Sequence, residues 1–118
     1  MATPIGIATN IAKAMNLTYK THIVINSSSF FGKEGRPVKM YVVKDAYYSD
    51  GVYSDKELFK SASGIYTCLF MRDLLYAFQG NDIPDDDFKY VEVKRKRNGA
   101  ANIEWMKEVY LENGFENS

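Results

Sequence analysis

The chain has 118 residues, 46% of them apolar and 25% charged, with fifteen basic and fifteen acidic side chains. A domain of this size buries roughly two-thirds of its unfolded surface, so one core suffices, and a lone cysteine, Cys68, excludes an intrachain disulfide or a cysteine-based zinc site. Zero net charge leaves no global field to gather nucleic acid or an anionic membrane, and it opposes self-association only weakly.

In chain order, Thr3 and Pro4 read as a cap and first helical residue. Ile7, Ile11, Ala14 and Met15 then fall on one face of a helix that Asn16 ends. From Tyr19 to Asn26 apolar and polar residues alternate with the period of a strand, which Phe30 and Phe31 extend or fold back upon. Gly32, Gly35 and Pro37 carry the turn chemistry of an antiparallel hairpin leading into a second strand, Val38 to Lys44. Asp50-Gly51 marks a further turn, with Tyr47, Tyr48 and Tyr53 gathered around it.

Ser54-Asp55-Lys56-Glu57 has the spacing of a capping box, in which a serine oxygen takes an amide three residues on and the glutamate reaches back. That spacing predicts a short helix carrying Leu58, Phe59 and Ala62, broken at Ser61–Gly64. Gly64 to Gln79 is the most apolar run, and its helix formers outweigh the competing reading of a strand at Ile65–Phe70. As a helix ended by Gly80-Asn81, it should bury Ile65, Cys68, Leu69, Met71, Leu75 and Phe78, so that Leu75→Ala would cost about 2–5 kcal/mol. After the acidic loop Asn81–Asp87, a third strand is expected from Phe88 to Lys96, and a last amphipathic helix from Ala101 to Glu112. The whole reads as a single α+β domain over residues 1–118. A small three-stranded, mainly antiparallel sheet packs with about four helices around the central apolar one.

Pro84-Asp85 together with Glu92-Val93-Lys94 resembles the PD-(D/E)xK signature of metal-dependent nucleases. On a strand, Glu92 and Lys94 share a face two rises apart, roughly 6.5 to 7 Å, where one could hold a divalent cation and the other face a phosphate. The resemblance rests on those positions alone, and alternating charges on an exposed strand give the same pattern. The cluster Asp82, Asp85, Asp86 and Asp87 lacks the alternating oxygen ligands and glycine of a calcium loop. Gly32–Arg36 lacks the spacing and following helix of a phosphate-binding loop, and reads as a hairpin tip. His22 and Cys68 would form a nucleophilic pair only if they met beside solvent, whereas a cysteine in the most apolar stretch is ordinarily inert. Apart from the nuclease-like pattern no set of residues has both the types and the spacing a reaction needs, so the expectation is a protein that is not an enzyme, with no cofactor and no metal, and a metal-dependent PD-(D/E)xK-like nuclease is the alternative.

Binding is the remaining class. Nine tyrosines and seven phenylalanines exceed what a small core needs, and Lys94-Arg95-Lys96-Arg97 forms the densest positive cluster. The expected contact surface combines Tyr47, Tyr48 and Tyr53 with Lys94, Arg95, Lys96 and Arg97, because aromatic and arginine anchors dominate interface energy. The expected partner is a protein, with nucleic acid as the alternative and homo-oligomer formation open. The beginning MATPIGIATN shows no basic, then apolar, leader, and no apolar run is long enough to cross a bilayer, so no membrane role and a cytoplasmic location are expected. These features suit a small accessory or inhibitory factor of the kind encoded by phages or mobile elements, such as an inhibitor of a host nuclease or defence complex.

Overall fold

The computed structural model describes residues 3–32 and 34–81. They form α1 (Pro4–Thr18), β1 (Ile23–Phe31), β2 (Pro37–Ser49), β3 (Val52–Ser61) and α2 (Gly64–Gln79), an α+β arrangement with a three-stranded sheet ordered β1-β2-β3. Both strand pairs are antiparallel, with Ile23 opposite Asp45 and Phe31 opposite Pro37 in the first, and Tyr41 opposite Ser61 and Ser49 opposite Val52 in the second.

Local chemistry starts each helix. The Thr3 hydroxyl accepts from the Gly6 amide at 3.1 Å, with Pro4 directly behind it, and the Ser63 hydroxyl accepts from the Tyr66 amide at 3.1 Å. Gly80, left-handed at φ 76°, ends α2. At the helix starts, a Cβ on Gly64 would lie 3.9 Å from Ile5, and at the ends the rings of Tyr19 and Phe78 sit 5.3 Å apart. The helices therefore run side by side in the same direction.

The core lies between this helix pair and one face of the sheet. Ala8, Ala12 and Met15 of α1 and Phe70, Met71, Leu74 and Ala77 of α2 meet Ile23, Val43, Leu58 and Phe59 of the strands. Phe59 stacks on Phe70 at 4.7 Å between ring centroids, joining β3 to α2. Leu58 and Phe59 are consecutive yet both buried, because the register shifts between Val43–Phe59 and Lys44–Glu57, and a bulge there breaks the strand's alternation.

Several expectations change. The capping-box segment is strand β3, not a helix, because Asp50 (φ 54°) and Gly51 (φ 78°) make a two-residue hairpin turn that folds residues 52–61 back along β2. The third strand of the sheet is therefore Val52–Ser61. Two helices, not about four, stand among the described residues; the expected Phe88–Lys96 strand and Ala101–Glu112 helix lie outside them. α2 has the bounds expected, but its buried stripe is Thr67, Phe70, Met71, Asp73, Leu74 and Ala77, while Ile65 is 60% exposed and Cys68, Leu69, Leu75 and Phe78 are half-buried. α1 is likewise turned: Ile7 and Ala14 are exposed, and Ala8 and Ala12 are inside.

Candidate protein-binding surface

Strand alternation sorts the sheet into a helix-side face, with Ile23, Ile25, Val43, Asp45 and Phe59, and an outer face, with Val24, Phe30, Met40, Val42, Lys44, Tyr48 and Tyr53. The outer face carries its own small apolar floor. Val42 is buried there at 4% exposure, and Lys60, directly across from it on β3, holds its ammonium 4.9 Å from the centroid of the Phe30 ring on β1. The methylene stem of Lys60 thus spans β2, and its charge sits against an aromatic face.

Tyr48 and Tyr53 stand directly opposite one another on this outer face, where the β2–β3 hairpin reaches beyond the strand β1. Their position in the ladder is a non-hydrogen-bonded one, since the turn closes on the Ser49–Val52 pair, and side chains at such positions approach most closely. They remain 68% and 59% exposed. The Tyr53 hydroxyl donates to Asp55 Oδ2 at 3.3 Å, and Lys44 Nζ donates to the same oxygen at 3.3 Å, which fixes the polar rim beside the rings. Tyr47 lies on the opposite face. Its ring meets the edge of His22 at 4.8 Å, and it is half-buried. The structure therefore brings together Tyr48 and Tyr53 and sets Tyr47 apart from them, while Lys94, Arg95, Lys96 and Arg97 lie outside the described residues.

Asp45 and Asp73 are fully buried, and Arg72 grips Asp73 Oδ1 through Nε at 3.0 Å and Nη2 at 2.7 Å while lying over the Tyr76 ring. Burial pushes the Cys68 thiol above its usual range, and the nearby Arg72 guanidinium offsets part of that shift. Among the described residues no three His, Cys, Asp or Glu side chains gather as a metal site, and Asp85, Glu92 and Lys94 of the nuclease-like pattern lie outside them. No helix of the described residues is long and apolar enough to cross a membrane.

Sequence reasoning missed a backbone clamp. The side chain of Asn16, at the end of α1, donates through Nδ2 to the Ile23 carbonyl at 2.9 Å and accepts through Oδ1 from the Ile23 amide at 2.9 Å and the Thr21 hydroxyl at 2.7 Å. An asparagine ending a helix pattern signals only a stop, and nothing in its spacing to Ile23 announces this contact. Comparison of the chain with protein-family models, with curated proteins and with solved structures finds no match.

Proposed function

We propose that this chain is a small non-enzymatic accessory or inhibitory protein that works in the cytoplasm by binding a protein partner. The β2–β3 hairpin end presents Tyr48 and Tyr53 to that partner. The observation that carries this reading is the cross-strand pair itself: two large aromatic side chains, more than half exposed, on a two-residue hairpin. Tyrosine supplies wide contact area with little entropy to lose, and the strand register already sets the two residues opposite one another. The Lys44–Asp55 ion pair beside them offers a polar rim of both signs, which suits a protein surface better than a phosphate backbone. The basic run Lys94–Arg97 belongs to the same proposal as a second anchor and is also the feature that a nucleic-acid binder would use. Within this proposal the partner is a host nuclease or defence complex that the chain inhibits.

The test is affinity capture from cells with three forms of the full chain: wild type, Tyr48→Ser with Tyr53→Ser, and Arg95→Glu with Arg97→Glu, each with and without nuclease. One protein retained by the wild type after nuclease treatment and lost with the tyrosine variant supports the proposal. Identical partners for the wild type and the tyrosine variant contradict the proposed surface. Loss of all partners on nuclease treatment favours nucleic acid.

A further inference from the structure

Among the described residues the sheet has two edges of opposite character. β3 carries Asp55, Lys56, Glu57 and Lys60 and a bulge, all of which discourage a neighbouring strand from pairing. β1, IVINSSSFF, has no charge and no proline, and its register with β2 runs without a shift. An uncharged strand with an unbroken register is what a pairing strand requires.

Hydrogen bonding shows which backbone groups are on offer. The Ala46 amide donates to the His22 carbonyl and the Gly32 amide to the Arg36 carbonyl, so the even-numbered residues of β1 turn their backbone groups toward β2. The odd-numbered residues turn theirs outward. At Ile23 the outward amide and carbonyl are already closed by Asn16, whose carboxamide imitates one rung of a neighbouring strand. Among the described residues no such partner stands at Ile25, Ser27, Ser29 or Phe31.

We infer that two copies of this chain pair through β1, antiparallel across a two-fold axis at Ser28. The clamp at Ile23 selects this register, because centring on Ser28 uses the open residues and no others. Ile25 then exchanges hydrogen bonds with Phe31 of the second copy, and Ser27 with Ser29. The side-chain pattern is self-complementary in the same register. Half-buried Ile25, at the margin of the core, gains Phe31, which alone is 85% exposed, and Ser28 meets its own counterpart. No like charges oppose one another along the strand, and zero net charge leaves little long-range repulsion between copies. The described strands of the two copies then form a continuous six-stranded sheet with β3 at either side. The pairing stands independently of the tyrosine surface, which lies on the other hairpin.

Light scattering on the full chain, together with two variants, tests the inference. The wild type should elute at twice the 13.5 kDa monomer mass at high micromolar concentration. Ser27→Lys with Ser29→Lys leaves the β1–β2 hydrogen bonds untouched but sets lysines opposite one another across the axis, and should be a monomer with an unchanged circular dichroism spectrum. Ser28→Cys supplies an independent readout that does not rely on disruption. A non-hydrogen-bonded antiparallel pair holds its Cα atoms about 4.5 Å apart, within the range of a disulfide. It should cross-link on mild oxidation, faster than an exposed control, Ser54→Cys. A monomeric wild type, a dimer that survives the double lysine change, or equal cross-linking of Ser28→Cys and Ser54→Cys overturns the inference. If the wild type is monomeric while the Ile25, Ser27, Ser29 and Phe31 amides still resist hydrogen exchange, another strand occupies the edge.

Discussion

Asn16 does with one carboxamide what a whole strand does elsewhere in a sheet, supplying a donor and an acceptor to the same residue, Ile23. Replacing it by alanine leaves a partly buried amide and carbonyl without partners, and such groups cost about 1–3 kcal/mol each when left unmade. Because both bonds are only part-buried, Asn16→Ala should lower the stability measured in urea by about 1–3 kcal/mol in total, and a change within a few tenths of a kilocalorie would show the clamp to be dispensable. In α2 the informative contrast is between neighbours. Leu74 is fully buried, and Leu75 only partly so. Leu74→Ala should cost about 2–5 kcal/mol and Leu75→Ala clearly less, which moves the large loss one residue from where the sequence pattern put it. The reverse order would restore the stripe through Leu75. Spacing alone misplaces that stripe because α2 is apolar nearly all round, so intervals of three and four fit more than one face. Thr67 and Asp73 are polar yet buried, since the Thr67 hydroxyl donates to the Ser63 carbonyl at 2.9 Å and Arg72 holds Asp73.

At the scale of elements, those with strong local signals were legible: α1 from Thr3-Pro4, α2 from its long apolar run and Gly80, and the β1–β2 hairpin from Gly32, Gly35 and Pro37. Pro37 fits within β2 because it lies opposite Phe31 in a non-hydrogen-bonded pair, and its nitrogen faces a side that β3 does not reach. β3 was hidden by two coincidences. Its Ser54-x-x-Glu57 spacing imitates a capping box, and the bulge at Leu58 makes two adjacent apolar residues look like one turn of helix. What decides the matter is Asp50-Gly51, whose backbone twist matches that of paired strands. Gly51 at φ 78° tolerates no Cβ without strain, so Gly51→Ala should destabilise the protein by about 1–2 kcal/mol. A neutral or stabilising effect, as alanine gives at ordinary backbone angles, would mean the turn is of another type. Of the candidate site, the tyrosines were legible from composition. Their division between two faces was not, because it depends on the register of β2 with β3.

At the scale of the whole molecule, the described residues commit one face of the sheet to two helices and leave two other surfaces for contact. One is the uncharged edge of β1, which we propose takes a second copy. The other is the aromatic end of the β2–β3 hairpin, which we propose meets a different protein; β1 and the Tyr48–Tyr53 end are separate parts of the sheet. The proposed function stands or falls on the second. The most direct measurement is the affinity of the captured partner, once purified, for the wild type and for Tyr48→Ser with Tyr53→Ser, beside the thermal midpoint of each. If the paired rings anchor the interface, binding falls by at least about tenfold, or about 1.4 kcal/mol, while the midpoint stays within a few degrees. Unchanged affinity in a folded variant would contradict a tyrosine-anchored interface.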